Sequence, residues 1–227
     1  MRKGEIKKQE ILNTAEILFC RKGYEETSVQ DILDALHTSK GSFYHHYVSK
    51  ESLLDAMCEK RAEQIAHSAL AESEKKGTPL EKLNCMISSL IPLAGERLSF
   101  LMMILPVFSS AQGRSIRNSY CDALQRNFQE PVATAIRDCK EDGTADVFDP
   151  ESGAVILLTI ANQFWCDLCD IMIAQARKDM EMPDVSGMIR EYRMAMERIL
   201  SAPYGSIDLI SLKETLMLFA QIRTHWK

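Results

Sequence analysis

The sequence predicts an all-α protein, in which a block of short N-terminal helices leads into a larger helical body. Three observations carry that reading. Apolar residues recur at i, i+3, i+4 and i+7 through most of the chain, the spacing of one helix face. No stretch alternates polar and apolar residues convincingly with period two, and there is no internal repeat. Glycine, proline and small hydroxyl or acidic residues fall between the periodic stretches, where helices start and stop.

The first helix is expected over 5–22, with Ile11, Ala15, Leu18 and Phe19 on one face. Gly23 ends it in the C′ role, after Arg21 and Lys22 in the last turn. Thr27-Ser28-Val29-Gln30 has the form of a capping box, and the helix behind it aligns Val29, Ile32, Leu33 and Leu36. A turn follows at His37-Thr38. A very short helix over 39–47 then points Phe43 and Tyr47 inward. Ser49 caps a long fourth helix over about 50–75, carrying Leu53, Leu54, Met57 and Ile65.

Gly77-Thr78-Pro79 breaks the chain before a helix over about 79–91 that ends near Pro92. The apolar segment 97–108 is expected to stop at Pro106. A long helix over 114–141 contains Pro131, which predicts a kink. After a loop, Asp149-Pro150-Glu151 supplies an N-cap, a proline at N1 and an acid in the first turn. Residues 150–179 are apolar almost all round from Val155 to Ile173, the pattern of a helix covered on both sides. A helix over about 185–201 and, after Pro203-Tyr204-Gly205, one running to about 223 complete the chain.

At 227 residues the chain suits one large or two small domains, and 46% apolar residues suffice for a core without staples. The seven cysteines, at 20, 58, 85, 121, 139, 166 and 169, are odd in number and scattered, which argues for thiols in a reducing compartment. The basic start has no apolar stretch behind it, and the longest apolar run, 154–161, is too short to span a bilayer. A cytoplasmic location with no membrane partner is expected. The net charge of −5 taken alone argues against nucleic acid, but it is unevenly spread. Residues 1–50 hold eight Lys/Arg against seven acids, whereas the remaining 177 hold 19 against 25, so phosphate is not repelled by the N-terminal block.

Two short helices joined by a tight turn form a helix-turn-helix, whose second helix enters the major groove of DNA. The chemistry of 39–50 suits that task. Gly41 lets backbone approach a duplex, and Lys40 and Lys50 supply cations for phosphate. Ser42, Tyr44, His45 and His46 offer donors and apolar edges to bases or phosphate oxygens. Amides at the helix starts near Thr27 and Ser49 can also hold phosphate. Taken alone, the same residues fit a plain helical hairpin with a polar surface.

The longer block ILNTAEILFCRKGYEETSVQDIL, followed by SKGSFYHHYVSKESLL, closely resembles the TetR family of bacterial transcriptional regulators over about residues 6–55. EDGTADVFDPESGAVILL resembles, more loosely, the loop and start of that family's eighth helix. One departure is the turn: the family usually has Gly-Val where this chain has His37-Thr38, and histidine enters the left-handed region at some cost. The resemblance implies a helix-turn-helix DNA-binding domain at 1–49 and a helical ligand-binding and dimerisation domain at 50–227. It implies phosphate contacts from Thr27 or Ser28, Tyr44, His46 and Lys50. Base-edge or groove contacts would come from Ser39, Lys40, Gly41, Ser42 and His45, with Phe43 and Tyr47 packing inward. A short recognition helix buries too little surface alone, so a homodimer through helices 150–179 and 185–201 is expected on double-stranded operator DNA. A small-molecule effector would spread the two reading heads, with helix 50–75 as the lever, and release a repressor.

For the effector pocket the candidates are Phe100, Met102, Met103, Phe128 and Trp165, with Asn162 and Gln163 as polar anchors, although plain core has the same composition. Lys82 and Arg97 are the only cations in 80–110 and 150–175, which favours a mostly apolar effector over a strongly anionic one. Cys166-x-x-Cys169 places two thiols on one helix face, but no second such pair and no histidine cluster completes a metal site, so buried reduced thiols are expected. Glu63-x-x-x-His67 likewise lacks partners. No metal and no cofactor are expected. An enzyme would need a nucleophile with its base, a glycine-rich phosphate loop or paired Glu-x-x-His motifs, and the sequence offers none.

Overall fold

The computed structural model describes residues 3–91, 95–108, 110, 113–178 and 181–225. Among the described residues there are ten helices and no strand: α1 (Lys3–Lys22), α2 (Val29–Ala35), α3 (Lys40–His46), α4 (Lys50–Ser73), α5 (Pro79–Ser89), α6 (Gly95–Phe108), α7 (Gly113–Glu141), α8 (Pro150–Lys178), α9 (Ser186–Leu200) and α10 (Leu212–His225). They gather into two compact units. One comprises Met1–Arg61 with Ala94–Tyr120, the other Ala62–Leu93 with Cys121–Lys227. Packing thus does not divide the chain at residue 49: α4 starts among the N-terminal helices, and α6 joins them.

The first unit is centred on Ile11, Phe19, Ile32, Phe43, Leu53 and Leu54, all buried. Gly23 closes α1 at φ +88°, its amide donating to the Phe19 carbonyl at 2.9 Å. Ser28, rather than Thr27, is the N-cap of α2. Its hydroxyl accepts from the Asp31 amide at 3.1 Å, and the Asp31 carboxylate accepts from the Ser28 amide at 2.7 Å. The capping box therefore lies one residue later than the sequence reading. Thr27 cannot fill the role, because it is buried and its hydroxyl donates to the Gly23 carbonyl at 2.8 Å.

At the other end of α2, the Thr38 amide donates to the Leu33 carbonyl at 3.1 Å and the His37 amide to Asp34 at 3.2 Å. These two bonds are the Schellman termination, which asks for a left-handed residue at C′. His37 supplies it at φ +48°. Ser39 then caps α3, and Ser49 caps α4 through reciprocal bonds with Ser52 at 3.0 and 3.1 Å. Further along α4 the buried Arg61 pairs with Glu16 of α1, and its guanidinium lies 5.2 Å from the Phe100 ring of α6. One side chain thereby joins three helices.

α6 continues two residues beyond Pro106, where the sequence reading stopped it. A proline removes its own amide donor, but residues 107 and 108 can still donate into the last turn. A Cβ on Gly113 would overlap the Val107 and Phe108 carbonyl oxygens, so only glycine leaves room for α7 to begin there. Pro131 is accommodated inside α7.

In the second unit α5 opens with Thr78 and Glu81 in a capping box and Pro79 at N1. It ends at Ser89 with Leu90 as its C-cap, short of the expected 91, while Pro92 and the expected last residue of the 150–179 helix lie outside the described residues. α8 opens as its Asp-Pro-Glu start implies, with Asp149 accepting from the Ser152 amide at 3.1 Å. One face of α8 is core: Leu157, Leu158, Phe164, Leu168 and Met172 are buried. The opposite face is open. Ile156 is 47% exposed, and Thr159, Gln163, Asp170 and Ala174 follow it along the helix in water. Within this chain α8 is therefore covered on one side, not on both. Its stretch 150–175 is long and apolar enough to cross a membrane by length and composition, and half of its most apolar window is buried in the fold.

Residues 206–211 are a non-helical strap, so the last helix begins at Leu212 rather than directly after Gly205. The reason is a buried carboxylate. Glu197 of α9 accepts from the Gly205 amide at 2.8 Å and the Ile207 amide at 3.3 Å, and the Asn84 side chain accepts from Asp208 at 2.9 Å. These side chains take up the amides, and the strap delivers Ile207, Leu209 and Ile210 to the core.

Candidate nucleic-acid interface

Two anchors on its inner side set the outer face of α3. Phe43 is fully buried, and Tyr47 is buried with its hydroxyl donating to the Lys8 carbonyl at 3.3 Å. Burial pushes the Tyr47 phenol up to about 12, so it stays protonated and keeps that bond. With both rings turned in, Ser39, Lys40, Gly41, Tyr44 and His45 are exposed, and Ser42 and His46 are half-buried. Tyr44 is 51% and Val48 80% exposed, apolar surface that the chain does not cover itself. A Cβ built on Gly41 would meet nothing nearer than the Ser39 hydroxyl at 3.9 Å, so packing does not demand glycine there. Ser28, at the head of α2, is exposed.

Charge around this face is arranged as follows. The His45 and His46 rings meet edge-on at 4.9 Å. Desolvation, then the neighbouring His45 and Lys8, hold His46 below the usual histidine range. Lys8 is exposed on α1 and lies 5.9 Å from the Tyr47 ring, which brings it to the same edge. The sequence reading gave Lys8 no role; the Lys7-Lys8 pair in a basic N-terminus was its only signal. Lys22 pairs with Asp31 at 2.9 Å. The Asp31 carboxyl is held well below the ordinary carboxylate range by the Ser28 hydroxyl and amide, then by Lys22.

Two of the phosphate candidates change character. Thr27 is buried, with its hydroxyl committed to Gly23, so it presents no side chain to a duplex. Lys50 is a clasp: its ammonium donates to the Tyr24 carbonyl at 2.9 Å and the Thr27 carbonyl at 3.2 Å, and sits 4.1 Å from the Tyr24 ring centroid. An ammonium has three donors, so one is left for a phosphate. The seven residues of α3 span about 10 Å, and a helix with its side chains is about as wide as a B-DNA major groove.

The six effector-pocket candidates are divided between the two units. Phe100, Met102 and Met103 belong to α6 in the first unit, where Phe100 packs on Tyr120 and Arg61. Phe128, Asn162 and Trp165 belong to the second and are buried, and the Asn162 amide donates to the Cys121 carbonyl at 3.3 Å. Gln163 is exposed, and its amide donates to the Asp167 carboxylate at 2.7 Å. A cavity of about 460 Å³ does open in the second unit, under the 206–211 strap beside Arg193 and Ile189, with a second of about 270 Å³ next to it around Asn84 and Cys85. None of the six candidates lines either. Among the described residues no group of three His, Cys, Asp or Glu is placed to hold a metal ion.

The comparisons with known proteins meet this geometry. A family model described as bacterial regulatory proteins, tetR family, matches residues 11–57, from the core of α1 into α4. The HTH-type transcriptional regulator UidR of Escherichia coli (strain K12) is 30% identical over 137 residues, 59% of this chain. The match covers 66% of that regulator, just under two thirds of its length. Among solved structures, a TetR-family transcriptional regulator from Pectobacterium atrosepticum superposes with a TM-score of 0.69 at 20% identity, over 89% of this chain and 99% of that one. A protein from Saccharomonospora viridis described as a transcriptional regulator, solved in complex with choline, gives 0.53 at 21% identity over 84% and 95%. The matched block and the helical architecture agree, and the chain belongs to the TetR family of bacterial regulatory proteins.

Proposed function

We propose that this protein is a homodimeric transcriptional repressor that reads operator DNA with α3 and leaves it when a small, mostly apolar effector binds. The observation that supports DNA reading best is the outer face of α3. Phe43 and Tyr47 anchor the helix, while Ser39, Lys40, Gly41, Tyr44 and His45 face water. Phosphate contacts are assigned to Ser28, Tyr44, His46, Lys50 and Lys8, and base-edge contacts to Ser39, Lys40, Gly41, Ser42 and His45. A gel-shift titration against DNA flanking its own gene tests this. One fragment should bind at about 10⁻⁸ M or tighter, and unrelated DNA about 10³-fold more weakly. Equal affinity for both would remove the reading.

Dimerisation is supported by the open face of α8 and by the half-buried Met188, Ile189 and Ile199 of α9. Two copies would set their α3 helices about 34–36 Å apart, one turn of DNA. The effector reading rests on the family resemblance and on buried Phe128, Asn162 and Trp165; the Saccharomonospora regulator, solved with choline, is a relative in fold that carries a small molecule. Trp165 supplies its own reporter. In a Trp226→Phe background, a true effector should change Trp165 fluorescence and weaken the operator shift over the same concentration range. A compound that releases DNA without touching that fluorescence would place the pocket elsewhere.

A further inference from the structure

The seven cysteines carry no disulfide. Most are poorly placed for chemistry. Cys58 and Cys139 are buried and burial pushes both thiols up, Cys169 is buried, partial desolvation with the Glu16 carboxylate pushes exposed Cys20 up, and half-buried Cys85 donates to the Ala69 carbonyl at 3.9 Å. Two differ. Cys121 of α7 and Cys166 of α8 are half-buried, and their sulfurs stand 3.8 Å apart. The neighbours hold them in register. Asn162 donates to the Cys121 carbonyl at 3.3 Å, Gln125 to the Val155 carbonyl at 3.2 Å, and Arg137 pairs with Glu151 at 2.5 Å, fixing the two antiparallel helices along their length.

We propose that Cys121 and Cys166 form an oxidisable dithiol, a modification site whose substrate is a hydroperoxide and whose product is an intrachain disulfide. The sulfurs need to close from 3.8 Å to about 2.0 Å. In the first step the thiolate of one cysteine attacks the peroxide: an S–O bond forms, the O–O bond breaks, and the departing oxygen takes a proton and leaves as an alcohol, or as water from hydrogen peroxide. The second thiol then attacks the sulfenic sulfur. An S–S bond forms, the S–O bond breaks, and the hydroxyl leaves as water with the thiol proton. Two electrons pass from the sulfur pair to the peroxide.

The pair that the sequence offered, Cys166 with Cys169, is set aside because Cys169 is buried at 1% exposure. The partner of Cys166 lies 45 residues earlier in the chain, so the bond would staple α7 to α8. Its site also adjoins Asp167, which accepts from the Tyr192 hydroxyl of α9 at 2.5 Å. In a reducing compartment such a bond forms under oxidant and is reversed by thiol reductants.

The test uses the full chain, reduced, desalted and exposed to a roughly tenfold excess of hydrogen peroxide, then alkylated and digested without reductant. The expected result is an intact mass lower by about 2 Da, a linked pair of peptides containing Cys121 and Cys166, and recovery of both thiols with dithiothreitol. Cys169→Ser should give the link in unchanged yield, and Cys121→Ser and Cys166→Ser should not give it. Four outcomes overturn the proposal: a link of Cys166 to Cys169, a link to any other cysteine, sulfinic or sulfonic acid alone at 121 and 166, or both thiols still alkylated. The wild-type peptide map decides the linkage by itself, so a serine variant that misfolds leaves the test intact.

Discussion

Gly41 separates what the fold needs from what a partner would need. It lies in α3, where a Cβ would make only an ordinary contact with the Ser39 hydroxyl at 3.9 Å. Gly41→Ala should therefore stabilise the protein by about 0.5–1 kcal/mol, the helix-interior cost of glycine. If the backbone of α3 approaches a duplex there, the same change should weaken operator binding at least about tenfold, or 1.4 kcal/mol. A melting curve and a gel shift on one sample read both signs, and unchanged binding would remove Gly41 from the interface. His37 is the reverse case, a residue under backbone constraint at φ +48°. His37→Val should cost about 1–2 kcal/mol and His37→Gly little or nothing, by chemical denaturation. His46 adds a pH dependence of two signs. Folding holds it below its usual value, so as pH falls through the ordinary histidine range the unfolded chain takes the proton first and stability declines. A phosphate beside His46 favours the charged ring, so DNA binding should take up a proton and strengthen over the same fall. His46→Gln should flatten both trends, and a binding curve of unchanged pH slope would exclude a phosphate at His46. Most of this face was legible in the sequence, because Ser39, Lys40, Gly41, Tyr44 and His45 are polar or small residues between the buried Phe43 and Tyr47. Thr27, Lys50 and Lys8 were not. A cap that shifts by one residue buries Thr27, two carbonyls from a distant loop claim Lys50, and only the fold of α1 brings Lys8 to the edge.

Among the elements, α1, α4 and α6 meet at Arg61. Its guanidinium pairs with Glu16 and covers Phe100, and the residue is only 9% exposed. Arg61→Ala leaves a partly buried carboxylate and an uncovered ring, so it should cost about 3 kcal/mol, whereas Arg61→Ala combined with Glu16→Ala should cost less than the sum of the two single changes. Additive losses in denaturant melts would mean the two residues act independently. The helices themselves were largely legible, since their starts use local chemistry: Ser49 and Asp149 cap the elements the sequence assigned to them, and Ser39 and Thr78 cap helices that begin within one residue of the expected start. The misreadings have non-local causes. α6 passes Pro106 because a proline near a helix end forfeits one bond only. The strap at 206–211 stays out of helix because Glu197 and Asn84 capture its amides. The Cys121–Cys166 contact lies between residues 45 apart, a separation at which periodicity carries no information.

For the whole molecule the open question is what covers α8. Ile156 is the most exposed large apolar side chain on that helix, at 47%, and it heads a stripe through Thr159, Gln163, Asp170 and Ala174. Val155 and Ile156, the large apolar residues of this otherwise polar or small stripe, are left wet by their own chain and suit burial against a second copy of it. In a two-fold dimer each contact occurs twice, so one substitution removes two. Burying an isoleucine side chain gives about 1.5–3 kcal/mol, and part of it is already buried here, so Ile156→Asp should weaken dimerisation on the order of a hundredfold or more while sparing the protomer fold. Sedimentation would then show a monomer at concentrations where the wild type is a dimer, with an unchanged helical circular dichroism spectrum. Operator affinity should fall with it, because a lone α3 contacts one half-site and the second contact no longer follows at high local concentration. Binding to a single half-site should be unaffected, which separates loss of pairing from damage to the reading head. A variant that stays dimeric would move the interface off this face of α8, and one that becomes monomeric yet binds the full operator normally would show that pairing is not what gives the protein its grip on DNA.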